Sequence, residues 1–274
     1  MAAEGRIRGA GAGRSRVHGL HLVIDRTHTR RGAAVCLFGA LVFLTACSGE
    51  HLHVEVLASV RADAPGQAWS SESSDFRALS SVAFAPGRRV VVMPVSDASA
   101  TERPLLDESI PGESVVGKNS RQLRDMASAD RLAAERALGD LSRRTDGRQR
   151  TEIIAAINGA GERFLDDGPG TRKYLLILTT GYEQSSIVNM ADVGLDLRQA
   201  TWPLIRRLTR TGAMPNLRGV DVCMGSVTSG LGAWADTPQY RRIHAFWRAF
   251  FAQSGARLVS YGPYLSKTCI RSES

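Results

Sequence analysis

Lys173-Tyr174-Leu175-Leu176-Ile177-Leu178-Thr179 is the stretch on which the fold turns. Its apolar run does not alternate with polar residues, so it predicts a strand covered on both faces. Such strands belong to parallel sheets with helices above and below. On the C-terminal side, Trp202 to Thr211 reads as a helix, with Pro203 in its first turn and Gly212 just past its end. Gly219 to Met224 is the next strand. Thr237-Pro238 then opens the clearest helix of the chain. Its apolar residues Ile243, Phe246, Trp247, Phe250 and Phe251 recur at helical spacing, and Gly255 closes it. That aromatic stripe reads as core packing, and as a docking face only if left uncovered. Arg257 to Tyr261 is the last strand.

On the N-terminal side, Thr151-Glu152-Ile153-Ile154 starts a helix, with Thr151 as N-cap and Gly161 or Gly168 near its end. Ser120 to Arg144 is helical text. Val90 to Val95 is a strand, with Glu113 to Val116 as a weak hairpin partner. A short helix over Asp75 to Phe84 and a strand over Val54 to Val60 complete the order. Strand and helix alternate at a spacing that predicts a three-layer, doubly wound α/β domain over residues 54–274, with a mostly parallel sheet.

The formal net charge is +8, but residues 1–46 hold seven arginines against Glu4 and Asp25, leaving +3 on residues 47–274. No basic stripe interleaved with aromatics appears, so no nucleic-acid partner is expected. Arg30-Arg31 is followed by a twelve-residue apolar run, Ala33 to Leu44, too short to span a membrane as a helix. The run ends in Leu44-Thr45-Ala46-Cys47. This order resembles a bacterial lipoprotein signal. The resemblance implies that residues 1–46 are removed, that Cys47 carries a palmitate-type acyl anchor, and that residues 47–53 form a tether. The expected location is extracytoplasmic, at the cell membrane or outer envelope. Residues 1–16 are mostly Gly, Ala and Arg, and translation is expected to start nearer Val17 or Val23.

Thr151–Ile157, Lys173–Gly181, Pro215–Val222 and Phe246–Ala256 together resemble a von Willebrand factor A-type domain. Members of that family often hold Mg²⁺ through a first-loop Asp-x-Ser-x-Ser, a second-loop Thr and a third-loop Asp. Here the first loop runs from Ser59 to Asp63 without the motif, Thr151 fits the second, and Thr180 stands where the acid belongs, with Glu183 as a stand-in. An Asp97-x-Ser99-x-Thr101 run follows Val90–Val95, but choosing it leaves no room for the hairpin before Thr151. The site reads as degenerate: no cofactor is expected, with Mg²⁺ the weaker alternative. Ser59, Asp63, Thr151, Thr180, Glu183 and Ser226 form the expected ligand rim at the carboxyl ends of the strands.

Catalytic signatures are sparse. Of the histidines beyond residue 46, His51 and His53 fall in the expected tether, and His244 lies beside the aromatic stripe. No Gly-x-Ser-x-Gly elbow or clustered zinc ligands appear. Asp166 and Asp167 read as solvated surface. In the resembling fold, Cys223 and Cys269 come within reach of a disulfide, the alternative being two buried thiols. The expected function is a non-catalytic, lipid-anchored binding or scaffold module for a protein or other envelope ligand. The alternative is an envelope hydrolase using the same crevice.

Overall fold

The computed structural model describes residues 51–59, 74, 76–77, 79–112, 119–142, 150–190, 192, 195–225, 237–265 and 269–270. Six strands form one sheet: β1 (Leu52–Ala58), β2 (Arg88–Pro94), β3 (Leu106–Ser109), β4 (Arg172–Leu178), β5 (Val220–Gly225) and β6 (Arg257–Tyr261). Their order is β3-β2-β1-β4-β5-β6. All neighbours are parallel except β3, which runs antiparallel to β2. Four long helices are described: α1 (Ser120–Ser142), α2 (Ile153–Leu165), α3 (Leu197–Arg210) and α4 (Pro238–Ser254). One cluster packs α2, α3 and α4 against Leu57, Val91, Leu175, Ile177 and Val222. The opposite face packs Phe76, Leu79, Ala134 and Leu138 against Val54, Val56, Val92 and Leu176. The fold is a three-layer, doubly wound α/β sandwich.

Strand β1 is central, and all seven of its residues are buried. It begins at Leu52, so His51 precedes the sheet and His53 lies inside it, 1 % exposed, not in a tether. Pairing of Leu52 with Arg88 on one side and Arg172 on the other draws the strand back to that point. His53 Nδ1 meets Asp167 at 2.9 Å, while Nε2 lies 3.2 Å from Glu55 Oε1. Asp167, read as solvated surface, is thus almost enclosed. Glu55 is fully buried and accepts two hydrogen bonds from Arg163, from Nε at 2.7 Å and Nη2 at 2.8 Å. Lys173 Nζ closes the same end of α2, donating to Phe164 O at 2.5 Å.

Three further expectations are corrected. The hairpin partner of β2 is Leu106–Ser109, not Glu113–Val116, which lies outside the described residues. Leu-Asp-Glu-Ser is a short, mostly exposed edge strand, and the Arg89–Asp107 pair across it stands in for apolar pairing. Helix α3 starts at Leu197, not Trp202, because the Asp196 carboxylate caps it by accepting from Arg198 N. Pro203 therefore sits inside the helix, on its exposed side, where water can reach the carbonyl its missing N–H leaves free. Thr151 does not cap α2; Glu152 holds the cap position without a side-chain bond.

Other expectations hold as read. Thr237 caps α4 by accepting from Tyr240 N, and Gly255 ends it at φ 83°. Phe246, Trp247, Phe250 and Phe251 are fully buried, which removes the docking-face reading of that stripe. Cys223 and Cys269 form a disulfide, with Cα atoms 6.2 Å apart and a sequence separation of 46. It binds the C-terminal segment to β5. At Gly225, the end of β5, an added Cβ would lie 2.6 Å from Leu265 Cγ, so only glycine lets that segment lie this close.

Two measurements test these contacts. Reduction of the disulfide, or Cys269→Ser, should lower stability by roughly 4 kcal/mol on the chain-entropy account of a loop this long. Calorimetric melting with and without dithiothreitol reads this, and an unchanged melting temperature contradicts it. Arg163→Ala, which leaves Glu55 buried without its partner, should cost about 3–5 kcal/mol in urea unfolding. Glu55→Leu combined with Arg163→Met should recover most of that loss.

Candidate functional site

The carboxyl ends of β1, β2 and β4 meet where the strand order reverses, the point at which open α/β sheets leave a crevice. Backbone bonds stitch its loops together. Ser59 N donates to Leu178 O at 2.9 Å, Val95 N to Ala58 O at 2.9 Å, and Glu152 N to Ser96 O at 3.1 Å. Gln184 N donates to Thr151 O at 2.9 Å, tying the loop after β4 to the start of α2. Ser59, Thr151, Thr180 and Glu183 are thereby gathered at one end of the sheet. Asp63 and Ser226 lie outside the described residues, as does Cys47.

Glu183 is the chemically distinctive member. Its side chain is wholly buried, and Oε2 accepts from the backbone N–H of Ile154 at 2.9 Å. The carboxyl group therefore does from the loop after β4 what an N-cap residue normally does locally: it satisfies a free N–H in the first turn of α2. Burial pushes its pKa up to about 7, against the pull of the Ile154 N–H toward the charged form. The backbone around it is fixed as well. Met190 N donates to Glu183 O at 2.8 Å, and Trp247 Nε1 donates to Gly181 O at 2.8 Å. Thr179 Oγ1 accepts from Gly181 N at 3.0 Å, while the enclosed Thr180 hydroxyl takes no hydrogen-bond partner among the described residues.

The Asp97-x-Ser99-x-Thr101 run is a turn between β2 and β3. Ser99 Oγ donates to Ser96 O at 2.8 Å and accepts from Ser96 N at 2.9 Å, while Ser96 Oγ donates to Glu102 at 2.9 Å. With the β2–β3 hairpin following it, β1 is the first strand and Ser59 opens the first loop.

Among the described residues the donors do not suit a hard divalent cation. Such ions need several carboxylate or carbonyl oxygens to offset stripping of their water. Here Thr180 is neutral, Glu183 is turned toward α2 and readily protonated, and among the described residues no group of three or more His, Cys, Asp or Glu side chains is placed to hold a metal ion. The described rim consists of hydroxyls and fixed backbone dipoles that are largely enclosed, Ser59 being 7 % and Thr151 4 % exposed. The long-range Glu183 cap was missed at the sequence level because a partner 29 residues away leaves no local pattern. Glu55, a lone charge inside an apolar strand, was a legible sign of the buried network.

The pH dependence of stability follows from Glu183. Its folded pKa of about 7 lies above the ordinary glutamate value of 4.5, so the native state binds the proton more tightly. Stability is then highest below pH 4.5 as far as this group is concerned, and falls as pH rises through about 7. The span corresponds to roughly 3 kcal/mol at most. Glu183→Gln, which keeps an acceptor for Ile154 N–H, should flatten this slope in urea unfolding measured from pH 5 to 8. An unchanged slope contradicts the assignment.

No family model matches the chain, and no curated protein sequence does. Solved structures give similarities of fold at low identity. The SpRpn10 VWA domain aligns at TM-score 0.37 and 11% identity, covering 78% of this chain and 89% of that one. The manganese-loaded TRAP protein of Plasmodium vivax aligns at TM-score 0.41 and 11% identity, covering 78% and 69%. The pilus adhesin SpaC from Lactobacillus rhamnosus GG, in its open conformation, aligns at TM-score 0.41 and 10% identity, covering 80% of this chain and 28% of that one. The fold class stands on strand order and layering.

Proposed function

We propose that the protein is a non-catalytic binding or scaffold module, anchored to the cell envelope by lipid at Cys47, that takes a polar ligand at the rim without a divalent cation. The observation that carries the binding reading is the rim itself: Ser59, Thr151 and Thr180 at the strand-order reversal, with Glu183 tied to α2. Its loops are braced by backbone bonds and by Trp247, so the backbone that frames the site is already in place. The anchor rests on the charge, apolar length and small residues before Cys47.

A second reading, an envelope hydrolase, draws on one observation. A buried carboxyl group with a pKa near 7 in a crevice is also what a general acid–base needs. Against it, the group is already bonded to a helix N-terminus, and no histidine is among the rim residues described. Labelling by a serine-reactive probe, abolished by Ser226→Ala, would favour the hydrolase.

Titration calorimetry of the protein with Mg²⁺ and Mn²⁺ should give no binding heat and no shift in melting temperature. A saturable heat with either ion would overturn cation-free binding. Cys47→Ala should move the protein from the membrane to the soluble fraction or leave it unprocessed, and unchanged membrane retention would overturn the anchor.

A further inference from the structure

Helices α3 and α4 lie side by side on one face of the sheet and carry seven arginines and no acidic residue. The net +3 of residues 47–274 is therefore +7 on these two helices and −4 elsewhere. Between them runs a groove of about 880 Å³. Its apolar lining includes Leu197 and the short side chains of Ala245, Ala249 and Ala252, which leave room above the backbone of α4. Arg198, Arg241, Arg242 and Arg248 line it too, beside Trp202, which is 55 % exposed. None of the four guanidinium groups has an acidic partner among the described residues. The acid nearest in sequence, Asp196, has its carboxylate on the backbone N–H of Arg198 at 3.0 Å. At the inner wall His244 stacks on Tyr261, centroids 4.4 Å apart.

We infer that this groove is a docking site for an acidic amphipathic protein segment, separate from the rim at the strand ends. Like charges held together along two helices repel one another, and an acidic partner relieves that repulsion more fully than mobile counterions do. The concave shape selects the kind of polyanion. An apolar floor flanked by arginines fits a chain that points aliphatic or aromatic side chains inward and carboxylates outward. A flat bilayer surface reaches the rim of such a groove but not its floor. A nucleic-acid strand would leave the floor unfilled and has, among the described residues, a single exposed aromatic ring here on which to stack a base. Arginine and tryptophan are also the residue types that most often dominate binding energy at protein interfaces. Helix α4, at 17 residues, is about 25 Å long, so an occupant of roughly 16 helical residues would span the groove.

The test is an unbiased selection. A phage-displayed library of random 16-residue peptides is panned against the full chain at physiological salt. Selected sequences should be net acidic, with Leu or Phe at helical spacing. The commonest, made synthetically, should bind wild type and lose about tenfold or more in affinity with Arg241→Glu plus Arg248→Glu. Arg241→Gln, a milder change on the same face, should weaken it in the same direction. Arg124→Glu, on the exposed side of α1, should leave binding unchanged. Neutral or basic selected peptides, or acidic ones that bind the double variant as tightly as wild type, would overturn the inference. So would sedimentation with phosphatidylglycerol–phosphatidylcholine vesicles that the double variant loses while no acidic peptide is selected, an outcome that assigns the face to a membrane.

Discussion

A carboxylate at the middle of the central strand sets the terms for the rest of this domain. Glu55 has no access to water, and a charge there is tolerable only with a partner that matches it. Arg163 is that partner, and it reaches Glu55 with two parallel bonds from the last turn of α2. A buried pair of this kind adds little net stability, but it permits few alternative alignments. Sliding α2 by one residue along the sheet would carry the guanidinium away from its acid. The opposite end of α2 is then fixed too, and that end presents Thr151 and the Ile154 N–H to the rim. The geometry of the crevice is thus set, through one helix, by a charge at the middle of the central strand.

How much of this could be read in advance depended on whether the decisive partner was local. Lys173–Thr179 announced a doubly covered strand because its apolar run leaves no polar face. Helix α4 announced itself through its stripe, its Thr237 cap and Gly255. Leu106–Ser109 did not, because an edge strand meets water on much of its surface and has no need of apolar residues. Pro203 misplaced the start of α3, since proline favours first turns but is tolerated where its side of a helix is solvated. His53 looked like tether because it precedes the β-branched run; only pairing with strands far along the chain draws it inside. Of the expected rim, Ser59, Thr151, Thr180 and Glu183 do assemble. The inward turn of Glu183 depends on a backbone N–H from another element, which no local pattern records.

Helix α4 joins the two candidate surfaces. Its inner side carries the aromatic residues and the Trp247 indole that holds the loop carbonyl of Gly181, while its outer side carries Arg241 and Arg248. An occupant of the outer groove would press on the same helix that braces the rim. The packed aromatics between the two sides, with Phe246, Trp247 and Phe250 in edge-on contact, leave little slack for independent movement.

Parallel strands give the molecule a direction. Polypeptide enters β1 at Leu52 and reaches the crevice only after seven residues, a climb of about 23 Å. The end that gathers Ser59, Thr151 and Thr180 therefore lies the full length of β1 away from the strand's entry, like the upper rim of a cup from its foot.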